Sequence, residues 1–120
     1  MKTILVVDDH SDIRKLIRIT IGNAYEVLEA EDGVAALQVV RLKRPDLVVL
    51  DIMMPGEMDG LQVLDAIRAD AELKHTQVIM VTARGQAKDF ETGMSRGANA
   101  YLIKPFSPIQ LVNSIKELLP

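Results

Sequence analysis

Two kinds of hydrophobic spacing alternate along the chain. Short runs rich in β-branched residues, such as "TILVVD", "LVVLD" and "QVIMVT", are separated by longer stretches in which apolar residues recur every three or four positions. The first spacing predicts strands and the second predicts helices. The strands fall at Thr3–Asp8, Tyr25–Ala30, Leu47–Asp51, Gln77–Thr82 and Ala100–Ile103. The helices between and after them fall at Ser11–Ile21, Gly33–Lys43, Gly60–Ala69, Ala87–Ser95 and Pro108–Leu118. In the third helix Leu61, Leu64 and Ile67 share one face, and Gln62, Asp65 and Arg68 lie away from it.

The first, third and fourth strands are continuously apolar, so both of their faces must be covered. That is the pattern of a parallel sheet with helices on both faces, and the strict alternation makes it a doubly wound five-stranded α/β domain. Gly22-Asn23 and Gly97 stand where helices should stop, and Pro45 and Pro105 punctuate the chain beside strands.

Composition narrows the class. With 120 residues, 48% of them hydrophobic, the chain is long enough for one domain, residues 1–120, with a true core. It has no cysteine, which excludes a disulfide framework and a thiolate metal site. No apolar run approaches the roughly 18 residues that span a bilayer, so no membrane partner is expected. The opening "MKTILVVDD" reads as the first strand rather than a signal peptide, and a cytoplasmic protein is expected. A net charge of -3 with no Lys/Arg cluster argues against direct contact with nucleic acid.

The polar residues of interest stand where the strands end. Asp8 and Asp9 close the first strand, Asp51 the third and Thr82 the fourth, and Lys104 follows the fifth. Open α/β sheets bind ligands outside the carboxyl ends of their strands, where the strand order reverses. With order 2-1-3-4-5, the first and third strands are neighbours across that point, and Asp8, Asp9 and Asp51 meet there with Thr82 and Lys104 beside them. Three crowded carboxylates call for a proton or a cation, and a wet oxygen-ligand site suits magnesium. A cation, a free carboxylate and an ammonium together can stabilise a phosphoryl group in transfer, with Asp51 as the nucleophile.

From "ILVVDD" through "LVVLDIMMPG" and "VIMVTA" to "YLIKPF", the chain resembles the receiver domain of two-component response regulators over its whole length. The resemblance implies a flavodoxin-like fold and a signalling switch rather than an enzyme. It implies that Asp51 is the phosphoacceptor, and that Asp9 binds Mg2+ directly while Asp8 acts through water. Asp51 and the backbone carbonyl of Met53 are implied to complete the protein ligands. Lys104 is expected to contact the phosphoryl oxygens, its peptide bond to Pro105 often being cis. Thr82 is expected to move toward the phosphoryl group and Tyr101 to turn inward in response, altering the face made by helix four, strand five and helix five. The implied partners are a histidine kinase or histidine phosphotransfer protein upstream and an effector protein or domain downstream.

Other readings compete at single positions. Asp8 and Asp9 are good helix caps, Asp51 a good turn residue, and Tyr101 an ordinary half-buried strand residue whose hydroxyl reaches solvent. Met53-Met54 reads as core and loop filler, and His10 and His75 as surface residues without assigned function. Competing functions are a phosphorylation-independent interaction module, an aspartyl-nucleophile phosphatase and a flavin carrier. The phosphatase reading needs a second Asp at the position of Met53, and the flavin reading needs phosphate donors where "DDHSD" stands.

The turn "PGEMDG" is one residue longer than the commoner form of the family, and "GANAYL" lacks an acidic pair. Helix five lacks the arginines expected in relatives that dimerise there to bind DNA. The chain ends at Pro120, just after that helix, so a stand-alone receiver or a domain of a longer protein is expected. Side chains such as Met53 and Arg84 are expected to bear on the lifetime of the phosphorylated state.

Overall fold

Alternation within each strand sends apolar side chains to both faces of one sheet. Leu5 and Val7 pack with Ala36, Leu37 and Val40 and with Val63, Leu64 and Ile67 on one side. Ile4 and Val6 pack with Ile17, Ile21, Leu111 and Ile115 on the other. Full burial of each such side chain stabilises the fold by about 1.5–3 kcal/mol, so neither face survives uncovered.

A computed structural model describes residues 1–83 and 87–120, with the side chains of 87–90 not described. In chain order the elements are β1 (Thr3–Val7), α1 (Ser11–Ile21), β2 (Glu26–Ala30), α2 (Gly33–Lys43), β3 (Leu47–Asp51), α3 (Gly60–Ala69), a 3₁₀ turn (Ala71–Leu73), β4 (Gln77–Ala83), α4 (Ala87–Ser95), β5 (Ala100–Lys104) and α5 (Pro108–Leu118). The five strands form one parallel sheet in the order β2-β1-β3-β4-β5, the predicted doubly wound, flavodoxin-like arrangement. Helices α1 and α5 cover one face, and α2 and α3 the other. All five residues of β3 are buried, whereas the edge strand β2 exposes Glu26 and Glu29.

The helices begin where side chains satisfy their free N–H groups. Asp32 accepts from the Ala35 N–H at 2.8 Å at the start of α2. Asp59 and Gln62 form a reciprocal capping box on α3, and Ser107 and Gln110 form another on α5, with Pro108 in its first turn. At α1 the cap position is His10, whose side chain makes no capping hydrogen bond. Gly22 ends α1 with φ of 70°. The left-handed residue ending α2 is Arg44, with φ of 47°, for which the sequence carried no signal.

Strand ends depart from the sequence expectation by one residue. β1 stops at Val7; the Asp8 N–H still donates to the Ala30 carbonyl at 3.2 Å, while its side chain turns onto the His10 N–H at 2.9 Å. β2 starts at Glu26 rather than Tyr25. β4 and β5 each run one residue further, to Ala83 and Lys104, because those two residues pair with each other.

Candidate functional site

The register of the sheet decides what meets at its carboxyl edge. Val7 pairs with Leu50 across β1 and β3, so Asp8 and Asp51, each the next residue, emerge side by side. Asp51 in turn pairs with Val81, placing Thr82 one residue beyond on β4, and Thr82 pairs with Ile103, placing Lys104 one residue beyond on β5. Parallel pairing of apolar strands thereby carries polar residues that are far apart in sequence to one edge.

Lys104 binds two carboxylates there. Its Nζ donates to Asp8 Oδ2 at 2.8 Å and to Asp51 Oδ2 at 3.3 Å. Asp8 and Asp51 are buried, while the lysine side chain is a quarter exposed. Burial alone raises a carboxyl pKa, and at Asp8 this is outweighed by the hydrogen bonds from Lys104 and the His10 N–H, which leave it below the ordinary value. At Asp51 burial prevails: Lys104 opposes it and the Asp8 charge reinforces it, so the carboxyl is held above the ordinary value. Burial would lower the ammonium, yet its two carboxylate partners hold Lys104 above its usual range.

Asp51 also accepts from the Met53 N–H at 3.4 Å, which folds the loop after β3 back over it. Met53 itself is 61% exposed and Met54 is buried. Gly60 fixes the far end of that loop, since a Cβ there would collide with the Asp51 carbonyl oxygen and lie 2.8 Å from Ile52 Cα. The first residue of α3 is thus seated against the backbone that presents Asp51.

Neither Asp8 nor Asp9 caps α1. Asp8 accepts from His10, and Asp9 Oδ1 is buried yet accepts no hydrogen bond among the described residues. Among those residues the metal-ligating atoms that lie within 4.8 Å of one another belong to Asp8, Asp9 and His10, with Asp51 outside the group. Hard carboxylate oxygens, one of them buried without a hydrogen-bond donor, fit a divalent cation such as magnesium.

Thr82 is buried at the end of β4. Tyr101 lies beside Met80 on β5, half-buried against the core under α2 and α3, with its hydroxyl oxygen buried rather than reaching solvent. The Lys104–Pro105 peptide bond is cis. Arg84 lies outside the described residues. His75 is exposed, as expected.

Two participants were not anticipated. His10 is exposed, but its Nδ1 lies 3.2 Å from Asp8 Oδ1 and 3.2 Å from Asp9 Oδ1. Arg14 donates to the Asp8 carbonyl at 2.6 Å and pairs with Glu29 at 3.0 Å, tying the β1–α1 loop to β2. Only the adjacency of His10 to "DD" hinted at the first, and nothing in the sequence pointed to the second.

Residues 4–116 match the family model described as the response regulator receiver domain. Over 98% of its length the chain is 43% identical to the "probable transcriptional regulator ycf27" of Cyanophora paradoxa and 40% identical to the phosphate regulon transcriptional regulatory protein PhoB of Pseudomonas aeruginosa. It spans about half of each of these proteins, 48% and 52%. The chemotaxis response regulator CheY4 of Vibrio cholerae superposes with a TM-score of 0.89 at 33% identity, covering 98% of both chains.

Proposed function

The chain belongs to the response regulator receiver domain family, and from that premise we propose that Asp51 accepts a phosphoryl group from a histidine kinase or histidine phosphotransfer protein. The observation that carries this reading is a buried carboxylate at the end of β3 held against an ammonium that a second carboxylate also binds. An Asp51 oxygen attacks phosphorus, the P–N bond to the donor histidine breaks, and the imidazole leaves with its electron pair and takes a proton. The product is an acyl phosphate on Asp51.

Each neighbour has a part. Lys104, already directed at Asp51, follows the charge onto the phosphoryl oxygens. Asp8, Asp9, Asp51 and the Met53 carbonyl would hold Mg2+, which when bound neutralises phosphoryl charge. Thr82 approaches the phosphoryl group, and Tyr101, packed beside Met80, passes the change to the α4-β5-α5 face. An effector protein or domain reads that face. The curated relatives carry transcriptional-regulator names over about twice this length, so the output is assigned by class alone. We place the chain as one receiver domain over residues 1–120, working in the cytoplasm. No helix among the described residues is long and apolar enough to cross a membrane.

The phosphatase alternative is disfavoured by Met53, which stands two residues after Asp51 where that chemistry needs an acid and base. Treatment with a small acyl phosphate and Mg2+ should add one phosphoryl group to the intact mass, removed by Asp51→Asn. Equal labelling of that variant would place the acceptor elsewhere. With beryllofluoride, amide shifts should spread from the site into α4 and β5, and shifts confined to the loops around Asp8 and Asp51 would count against the relay.

A further inference from the structure

Helix α1 starts in an unusual way. The position before its first turn favours Ser, Thr, Asp or Asn, whose short side chains bond the free N–H groups and stabilise the helix by about 1 kcal/mol. Here it is His10, and its ring caps nothing. The imidazole turns toward the carboxylates instead, with Nδ1 3.2 Å from one oxygen of Asp8 and 3.2 Å from one oxygen of Asp9. The approach to Asp9 lacks hydrogen-bond geometry, because that buried Oδ1 accepts no hydrogen bond among the described residues.

Hydrogen bonding therefore explains only half of the arrangement. Ligands at adjacent corners of an octahedral ion with bonds of about 2.1 Å are about 3.0 Å apart, close to the 3.2 Å of both separations. Magnesium takes oxygen donors, whereas an imidazole nitrogen favours first-row transition ions in the order Mn2+, Co2+, Ni2+.

We propose that His10 is a third side-chain ligand in the cation site of Asp8 and Asp9, making that site selective for imidazole-preferring divalent ions over magnesium. The proposal rests on the reading of the acidic pair as a cation site, and the test separates the two. The chain contains two histidines, and exposed His75 serves as the control.

Direct calorimetric titration of the full chain with Ni2+ and with Mg2+ at pH 7.5 would be compared for the parent, His10→Asn, His75→Asn and Asp9→Asn. Asn keeps a good cap at the start of α1, so His10→Asn should fold. The expected result is that the parent binds Ni2+ more tightly than Mg2+. His10→Asn should lose about tenfold in Ni2+ affinity while its Mg2+ affinity stays within about twofold. His75→Asn should match the parent, and Asp9→Asn should lose both ions. In the parent, Ni2+ should broaden the ring resonances of His10 before those of His75. A parent that binds Mg2+ no less tightly than Ni2+, or a His10→Asn variant that weakens both ions equally or neither, overturns the proposal and leaves the cation site standing. A parent that binds neither ion overturns both.

Discussion

Asp8 and Asp51 share one ammonium but are displaced in opposite directions, and this gives each a distinct pH signature. Asp8 is held below its ordinary value of 3.8, so its stabilising contribution is present above that pH and is lost as pH falls through the depressed folded value. Asp51 is held above 3.8, so its contribution is present below that pH and is lost as pH rises through the folded value. Asp51→Asn should therefore stabilise the metal-free protein at pH 7, and the gain should shrink toward pH 4. Asp8→Asn should destabilise at pH 7, with a penalty that also shrinks toward acid. Urea melts of the three proteins at both pH values would check this, and a destabilised Asp51→Asn at pH 7 would contradict it. At this scale the sequence was informative about Asp8, Asp51, Thr82 and Lys104, because the apolar runs locate each strand end to within a residue. It was silent on the contacts of His10 and Arg14, which depend on how the β1–α1 loop curves over the sheet.

The elements meet the site through their ends. Gly60 begins α3 against the Asp51 carbonyl, and the only ways to seat a methyl group there are to move the helix or to move β3. Ala is the better helix former by about 1 kcal/mol, yet Gly60→Ala should destabilise by about 1–3 kcal/mol because backbone atoms cannot rotate away. Its rate of labelling by acyl phosphate should fall as well. Ser107→Ala, which breaks the capping box of α5 without removing a hydrogen bond to Asp51, should cost about 1 kcal/mol and leave labelling unchanged. Thermal melts and labelling time courses separate the two outcomes. The helix bounds were legible because the apolar period marks each segment, with side-chain caps agreeing at the starts of α2, α3 and α5. Strand ends were less so: Ala83 and Lys104 belong to strands only because each finds the other. The 3₁₀ turn at Ala71–Leu73 was not anticipated, being too short to show a period.

Across the whole molecule, chemistry and structural bracing occupy opposite ends of the sheet. At the end away from Asp51, Arg68 donates to the Gly97 carbonyl at 2.9 Å, the Thr76 carbonyl at 2.7 Å and Asn99 Oδ1 at 2.7 Å. Asn99 Oδ1 also accepts from the Val78 N–H at 2.9 Å, so one guanidinium joins α3, β4 and the turn into β5. Arg68→Ala would leave these acceptors short of a donor and should destabilise by about 2–3 kcal/mol while Asp51 is still labelled. Millimolar Mg2+ should raise the stability of the parent, increasing with the logarithm of concentration once the site is mostly filled, and the gain should shrink in Asp9→Ala. Layer order and helix placement were legible because continuously apolar strands admit few arrangements; the Arg68 clamp was not, since it joins side chain to carbonyls through tertiary geometry alone.

The ammonium that binds Asp8 is separated from it by 96 positions in the sequence. Synthesis runs from the first strand to the last, so both buried carboxylates are made long before their common cation. A growing chain that has released β1 and β3 but not β5 would have to enclose two like charges with nothing between them. The last strand to arrive therefore carries the cation that the carboxylate closing the first strand binds.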